Sequence, residues 1–239
     1  MVRNDRGRIN RRRKPTLQGA SPVPFARASA GRDAPYNART TVKPDSYAAL
    51  RAYFEQRAPL SDAEFAVLRQ LFRPRTLRRH EVLHAAGEAA RHGAFVVRGC
   101  LRAFVVDAQG KEHILQFAPE QWWIAEQHSL TYHTPALFAI DAVEESEVLL
   151  YDELFYHHPG LPAVRDSEMS TTMLANRIYA MQQRLVLLLS APAKVRYLDF
   201  IRTYPTLAQR LPLRLIAAYL GITPESLSRV RHELAYEKP

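Results

Sequence analysis

Between residues 76 and 154, apolar and polar side chains alternate, and turns that contain glycine interrupt the alternation at short intervals. A period of two residues is typical of β-strands, because successive side chains of a strand point to opposite faces. Turns are expected at 98–99 and at 107–110, and two further strands flank 144–146. Many short strands with regular turns predict a small antiparallel jelly roll or barrel.

Helical patterns lie on both sides of this segment. The stretch from Ser46 to Arg73 predicts helices, with a second helix start at Ser61 where Glu64 completes a capping box. Beyond the strands, a long helical pattern reaches Pro192, and a shorter one leads to Leu213. The predicted fold class is therefore α+β, with an N-terminal antiparallel β-roll that is flanked by helices.

The stretch LIAAYLGITPESLSRVRHEL, from Leu215 to Leu234, predicts two short helices that meet at Gly221, since glycine tolerates the positive φ of a sharp turn out of a helix. Leu227, Val230 and Leu234 would form the buried face of the second helix. The residues expected to face DNA are Thr223, Pro224, Glu225, Ser226, Ser228, Arg229, Arg231 and His232. The pattern favours a helix-turn-helix, whose second helix enters the major groove. An ordinary pair of packed helices is the alternative.

The long helix carries an apolar stripe whose members are spaced alternately by three and four residues. The stripe consists of Thr171, Leu174, Ile178, Met181, Leu185 and Leu188. Such a stripe either packs on the barrel or forms the seam of a dimer. The dimer is favoured, because a helix-turn-helix usually reads DNA as a symmetric pair.

The net charge of +9 is distributed unevenly. Residues 1–45 hold 11 basic and 3 acidic side chains, whereas 46–191 hold 14 and 17, and 192–239 hold 8 and 4. Residues 1–45 lack apolar periodicity and predict a disordered basic tail. The tail could add non-specific affinity for DNA phosphates, precede the true start of translation, or direct import into an organelle.

The only cysteine, Cys100, excludes an internal disulfide and a cysteine-ligated iron–sulfur cluster within one chain. It is expected to be buried, and its isolation agrees with a reducing cytoplasm, the predicted location. No apolar run is long enough for a transmembrane helix. Histidines lack the H-x-H spacing of a jelly-roll iron site, so neither a metal nor catalytic activity is predicted.

The order of these elements, together with AGEAARHGAFVVRGCLRAFVVDAQGKEHILQFA and YLGITPESLSRVRHEL, resembles the Crp/Fnr family of transcription regulators over residues 46–236. The resemblance implies a cyclic nucleotide-binding-like β-roll, a long dimerisation helix and a C-terminal helix-turn-helix. It implies a homodimer that binds double-stranded DNA, with RNA polymerase as a further candidate partner. It also implies that Glu225 accepts a hydrogen bond from a cytosine amino group and that Arg229 reaches a base or phosphate. An effector in the roll would reorient the DNA-reading helices.

The same resemblance divides the chain into four parts. Residues 1–45 would form the tail, 46–160 the sensor domain, 161–190 the long dimerisation helix, and 191–239 the DNA-binding domain.

The resemblance also places the effector site, where this sequence departs from the family pattern. Ala125 and Glu126 stand where the family has Gly-Glu, but Ala136 and Leu137 replace the Arg-Ser pair that holds the cyclic nucleotide phosphate. A buried phosphate without a cation is costly, so cyclic AMP is not expected in the familiar mode.

Two readings of the effector region stay open. An unidentified small molecule could contact the residues near the expected pocket, which are Trp122, Trp123, Glu126, His128, Tyr132 and Tyr179. Alternatively, both tryptophans pack in the core and the pocket is collapsed. A cyclic-nucleotide-responsive regulator and a jelly-roll metal-dependent oxygenase are the alternative functions.

Overall fold

The computed structural model describes residues 46–158 and 168–236. The predicted tail, 1–45, lies outside the described residues. The chain enters the fold through α1 (Ser46–Glu55) and α2 (Asp62–Leu71). The predicted capping box of α2 is confirmed: the Glu64 amide donates to Ser61 Oγ at 3.2 Å, and the Ser61 amide donates to the Glu64 carboxylate at 2.9 Å.

Eight strands follow within residues 46–158, and they form two antiparallel sheets. The strands are β1 (Arg73–Leu77), β2 (Val82–His84), β3 (Gly93–Arg98), β4 (Leu101–Val106), β5 (Glu112–Ala118), β6 (Trp123–Ile124), β7 (Ala139–Ala142) and β8 (Ser146–Tyr151). One sheet has the order β1-β8-β3-β6 and the other β2-β7-β4-β5. The predicted antiparallel β-roll is confirmed, with turns at Gly99 and Gly110, both of which have positive φ.

The space between the two sheets is filled by small and branched apolar side chains. Buried members include Leu77, Ala94, Val96, Leu101, Ala103, Ile124, Ile140, Ala142, Val148 and Leu150. Because side chains alternate along β4, Leu101 and Ala103 point into the roll while Arg102 and Phe104 point to its outer face. Cys100 is fully buried, as expected, and burial raises the pKa of its thiol well above the usual range.

Helices complete the described chain. They are α3 (Gln127–Tyr132), α4 (Leu154–His157), α5 (Glu168–Ser190), α6 (Ala193–Thr203), α7 (Leu207–Arg210), α8 (Leu213–Leu220) and α9 (Pro224–Tyr236). The terminal helical pair is confirmed, and the long helix is confirmed over Glu168–Ser190; residues 161–167 of the predicted dimerisation helix lie outside the described residues. The elements β1, β6, α3, α4 and α7 are not predicted by the sequence patterns, and Arg73, the last residue of the predicted helical stretch, instead begins β1 and pairs with β8. Within residues 46–158 and 168–236, no helix is both long and apolar enough to cross a membrane.

The C-terminal helices pack on the outer face of the β4–β5 hairpin, which is formed by the antiparallel strands β4 and β5. The Phe117 ring centre lies 5.9 Å from that of Tyr204 and 5.6 Å from that of Tyr219. Phe104 and Ile114 belong to the same buried cluster, together with residues of α6, α8 and α9. The roll and the terminal helices therefore share one apolar core, which determines where α9 sits.

Candidate nucleic-acid interface and effector region

The helical pair α8–α9 is held by a compact apolar contact. Ile216, Ala217 and Leu220 of α8 are buried, and Leu227 of α9 packs in the same cluster. Gly221 ends α8 in the left-handed conformation with φ of 66°, and its amide donates to the Ala217 carbonyl. The chain can therefore turn tightly between the helices, as the Gly221 pattern predicts.

The first turn of α9 begins with an ordered cap. The Ser226 amide donates to Thr223 Oγ1 at 3.2 Å, so Thr223 satisfies one of the free amides of the helix start. Hydrogen bonding to its own backbone amide and to Thr223 lowers the pKa of the exposed Glu225. Glu225 is therefore an ionised hydrogen-bond acceptor at neutral pH.

The polar face of α9 is open to solvent. Leu227 and Val230 turn inward, and Leu234 is partly buried, as predicted. Thr223, Pro224, Glu225, Ser228, Arg229, Arg231 and His232 are exposed, while Ser226 is partly buried. Arg229 Nη2 donates to Ser226 Oγ at 3.3 Å. All eight residues predicted to face DNA thus lie on this one helix and its cap.

The predicted seam on α5 leaves most of its apolar side chains exposed in the single chain. Leu174, Ile178, Met181 and Leu185 are between 47% and 67% exposed, so about half or more of each side chain is open to solvent. Leu188 is partly buried and lies near Gly221, while Thr171 lies in the first turns of α5.

The two tryptophans of the predicted effector region lie on different sides of the roll. Trp123 packs among aromatic rings beneath α1 and α4, with ring centres 4.9 Å from Phe95 and 5.6 Å from Phe155. Trp122 instead contacts Tyr204 of the C-terminal helices, at 5.2 Å between ring centres. Trp122 directly precedes β6 and Trp123 begins it, and the two indoles pack in separate apolar clusters.

The other predicted pocket residues do not join them. The buried Glu126 accepts from the Ser129 amide at 2.6 Å and so caps α3. The His128 and Tyr132 rings lie 4.9 Å apart on exposed positions of α3. Tyr179 is exposed on α5. None of these residues lines either of two open clefts in the described part of the chain, one between α1 and α2 and the other beside the start of α9.

A buried ion network that the sequence does not indicate lies on the outer sheet face. Arg102 donates to both Asp141 carboxylate oxygens, at 2.7 and 3.0 Å, and to both Glu112 oxygens, at 2.6 and 3.0 Å. Arg102 and Asp141 are buried, so their mutual attraction is weakly screened. No local pattern indicates this network, because Arg102 and Asp141 come from strands that are distant in sequence.

Comparisons with known proteins agree with this architecture. Residues 74–153 match the family model described as the cyclic nucleotide-binding domain. A search of curated proteins finds no significant match.

Solved structures share the fold across most of the chain. FixK2 from Bradyrhizobium japonicum is 20% identical with a TM-score of 0.58, covering 70% of this chain and 85% of that one. The c-di-GMP-responsive global regulator CLP from Xanthomonas campestris is 12% identical with a TM-score of 0.59, covering 74% and 93%. CooA from Carboxydothermus hydrogenoformans, as a double mutant, is 16% identical with a TM-score of 0.56, covering 77% and 83%. Residues 74–153 thus match the cyclic nucleotide-binding domain family, and most of the chain shares its fold with solved Crp/Fnr-type regulators.

Proposed function

We propose that this protein is a DNA-binding transcription regulator that acts as a homodimer and reads a palindromic operator with α9 of each copy. The observation that carries the proposal is the open polar face of α9, whose opposite face is buried against the other C-terminal helices. That face combines a carboxylate, hydroxyls and guanidinium groups. Base edges and phosphates in the major groove are recognised by these groups.

Individual roles follow from the chemistry of each side chain. The ionised Glu225 can accept from the amino group of cytosine, and Arg229 can donate to a guanine edge or a phosphate. Thr223 and Ser226 lie at the helix start, where hydroxyl and backbone N–H groups suit phosphate oxygens.

Dimerisation is proposed through α5. Its exposed leucine, isoleucine and methionine side chains would be buried against α5 of a second copy in a coiled-coil seam. Two α9 helices related by a twofold axis would then read half-sites about 10 bp apart. Ile178→Glu should shift the protein to monomers in light scattering. Gln182→Glu places the same charge on the exposed α5 surface outside the stripe and should remain dimeric. Dimers of Ile178→Glu would contradict the seam.

The roll is proposed as a sensor that does not bind cyclic AMP in the usual way. Supporting this, Ala136 and Leu137 stand where a phosphate-binding pair is expected, and the Glu126 carboxylate already caps α3. The second candidate, a cyclic-nucleotide-responsive regulator, is favoured by the domain family match. Calorimetry with cyclic AMP and, because CLP is described as responsive to it, c-di-GMP separates the two. Tight binding of cyclic AMP would overturn the proposal that the roll does not bind cyclic AMP in the usual way.

The experiment that tests DNA recognition is selection from a genomic fragment library by the purified protein across several salt concentrations. Recovery of a twofold-symmetric sequence is the expected result. Arg229→Ala should then abolish specific binding, while Arg202→Ala, which removes an exposed arginine of α6, should not. Binding that is uniform over all sequences and falls with salt would overturn the proposal.

A further inference from the structure

We infer that the β4–β5 hairpin of the roll makes a second contact with the DNA backbone next to α9, an inference that rests on the proposed function. A cleft of about 430 Å³ separates the hairpin from the terminal helices. Lys111 lines one side of the cleft, and Arg214, Thr223 and Pro224 line the other. The roll thus presents a cation beside the helix start that is proposed to approach the phosphates.

The hairpin holds Lys111 in a fixed position. The Asp107 carboxylate accepts from the amides of Gln109 at 3.0 Å and Lys111 at 2.9 Å, and it pairs with His113 at 2.7 Å. At the base of the β4–β5 hairpin, Arg184 donates to the Ile114 carbonyl at 2.7 Å. Because the turn is closed and its base is attached to α5, the position of Lys111 relative to α9 is set by the fold.

The charges around the cleft favour an anion. Lys111 and Arg214 are exposed, and neither forms an ion pair with a residue in the described ranges. The neighbouring Glu112 accepts hydrogen bonds from Arg102, and these bonds lower the Glu112 pKa although partial burial raises it. The charges of Arg214 and His80 also lower this pKa. Asp107 is engaged within the turn. Glu112 and Asp107 therefore already have donors, whereas Lys111 and Arg214 face solvent.

Duplex DNA fits this arrangement better than a small anion does. When a recognition helix enters the major groove, the sugar-phosphate backbone passes its N-terminal end. Lysine binds phosphate as a point charge and without sequence preference. Lys111 and Arg214, on opposite sides of the cleft, would therefore contact phosphates that flank the bases read by α9.

The test measures affinity of the full chain for its selected operator and for random DNA, each over a range of salt concentrations. Lys111→Ala should weaken binding to both by about 3- to 10-fold and lower the salt slope by about one, leaving the recovered sequence unchanged. Lys111→Arg should restore affinity. Arg214→Ala should behave like Lys111→Ala. Arg91→Ala, which removes an exposed cation that does not line this cleft, is the matched control.

The outcomes separate this inference from the proposed function. If the wild-type protein selects an operator and Arg229→Ala abolishes specific binding, but Lys111→Ala keeps wild-type affinity and salt slope, the hairpin contact is wrong while the regulator proposal stands. If the wild-type protein selects no operator, both are overturned. Urea unfolding of each variant shows whether a loss of affinity reflects a loss of folding.

Discussion

Arg184 and Tyr219 are joined by two contacts. Arg184 Nη2 donates to the Tyr219 carbonyl at 2.9 Å, and its guanidinium carbon lies 3.9 Å from the centre of the Tyr219 ring. The same guanidinium donates to the carbonyls of Ile114 and Leu115 on β5. One side chain of α5 therefore links the roll to α8, the helix that supports α9.

Replacing this arginine should loosen the attachment of the terminal helices. Arg184→Ala removes the hydrogen bonds to the carbonyls of Ile114, Leu115 and Tyr219 and should lower the free energy of unfolding by about 2–3 kcal/mol. Arg184→Lys keeps the charge but not the planar arrangement of donors, and should recover only part of the stability that Arg184→Ala loses. Urea denaturation at fixed protomer concentration measures both. Arg177→Ala removes an exposed arginine from the same helix, and an equal loss there would contradict the linking role.

The turn between α8 and α9 should depend on glycine for conformational reasons alone. A Cβ at Gly221 would meet its nearest atoms at 3.6 Å, so the site has room, but φ of 66° strains an L-residue. Gly221→Ala should therefore cost about 1–2 kcal/mol of stability. Gly221→Asn should cost less, because asparagine visits this conformation more readily. Thermal unfolding of both variants measures these losses of stability. A larger loss of stability for Gly221→Asn than for Gly221→Ala would indicate a steric cause.

The buried pair of Arg102 and Asp141 should be strongly coupled. Arg102→Ala leaves the buried Asp141 carboxylate uncompensated and should cost about 3–5 kcal/mol. The double variant Arg102→Ala/Asp141→Ala should lose clearly less than the sum of the two single changes. Glu112 is about one-third exposed, so Glu112→Ala should cost only about 1 kcal/mol. Additive losses in the double-mutant cycle would show that the pair is not coupled.

His84 should make stability depend on pH. Burial lowers its pKa to about 4, although the Phe138 backbone partly opposes the shift. Between about pH 6.5, its usual pKa, and pH 4, the unfolded chain binds a proton that the folded chain excludes, so stability is lost as the pH falls. His84→Phe removes this contribution.

The measurement is the free energy of unfolding of both proteins at pH 7.5, 6 and 5. The wild-type protein should lose stability relative to His84→Phe as the pH falls, by an amount on the order of 1–2 kcal/mol at pH 5. A difference between the two proteins that stays constant with pH would mean that His84 is not the group responsible.

Local patterns in the sequence were sufficient for most of the elements. Alternation over 76–154 predicted the antiparallel strands, the spacing along α5 predicted one long helix, and Gly221 with Thr223 predicted the terminal turn. These features succeed because hydrogen bonding and side-chain periodicity within an element involve residues only a few positions apart. The polar face of α9 could be listed from the sequence for the same reason.

The sequence could not decide which distant surfaces meet. The sequence left open whether the adjacent Trp122 and Trp123 line one pocket or pack in the core, and the fold places them in separate apolar clusters. Arg184 and Ile114, 70 residues apart, and the cleft between Lys111 and Arg214 arise only when the C-terminal helices pack on β5. That packing is the sum of many weak apolar contacts between elements, and no local pattern encodes it. The sequence thus determined the helices and strands and the residues of the polar face of α9. The tertiary structure decided which residues lie beside that face.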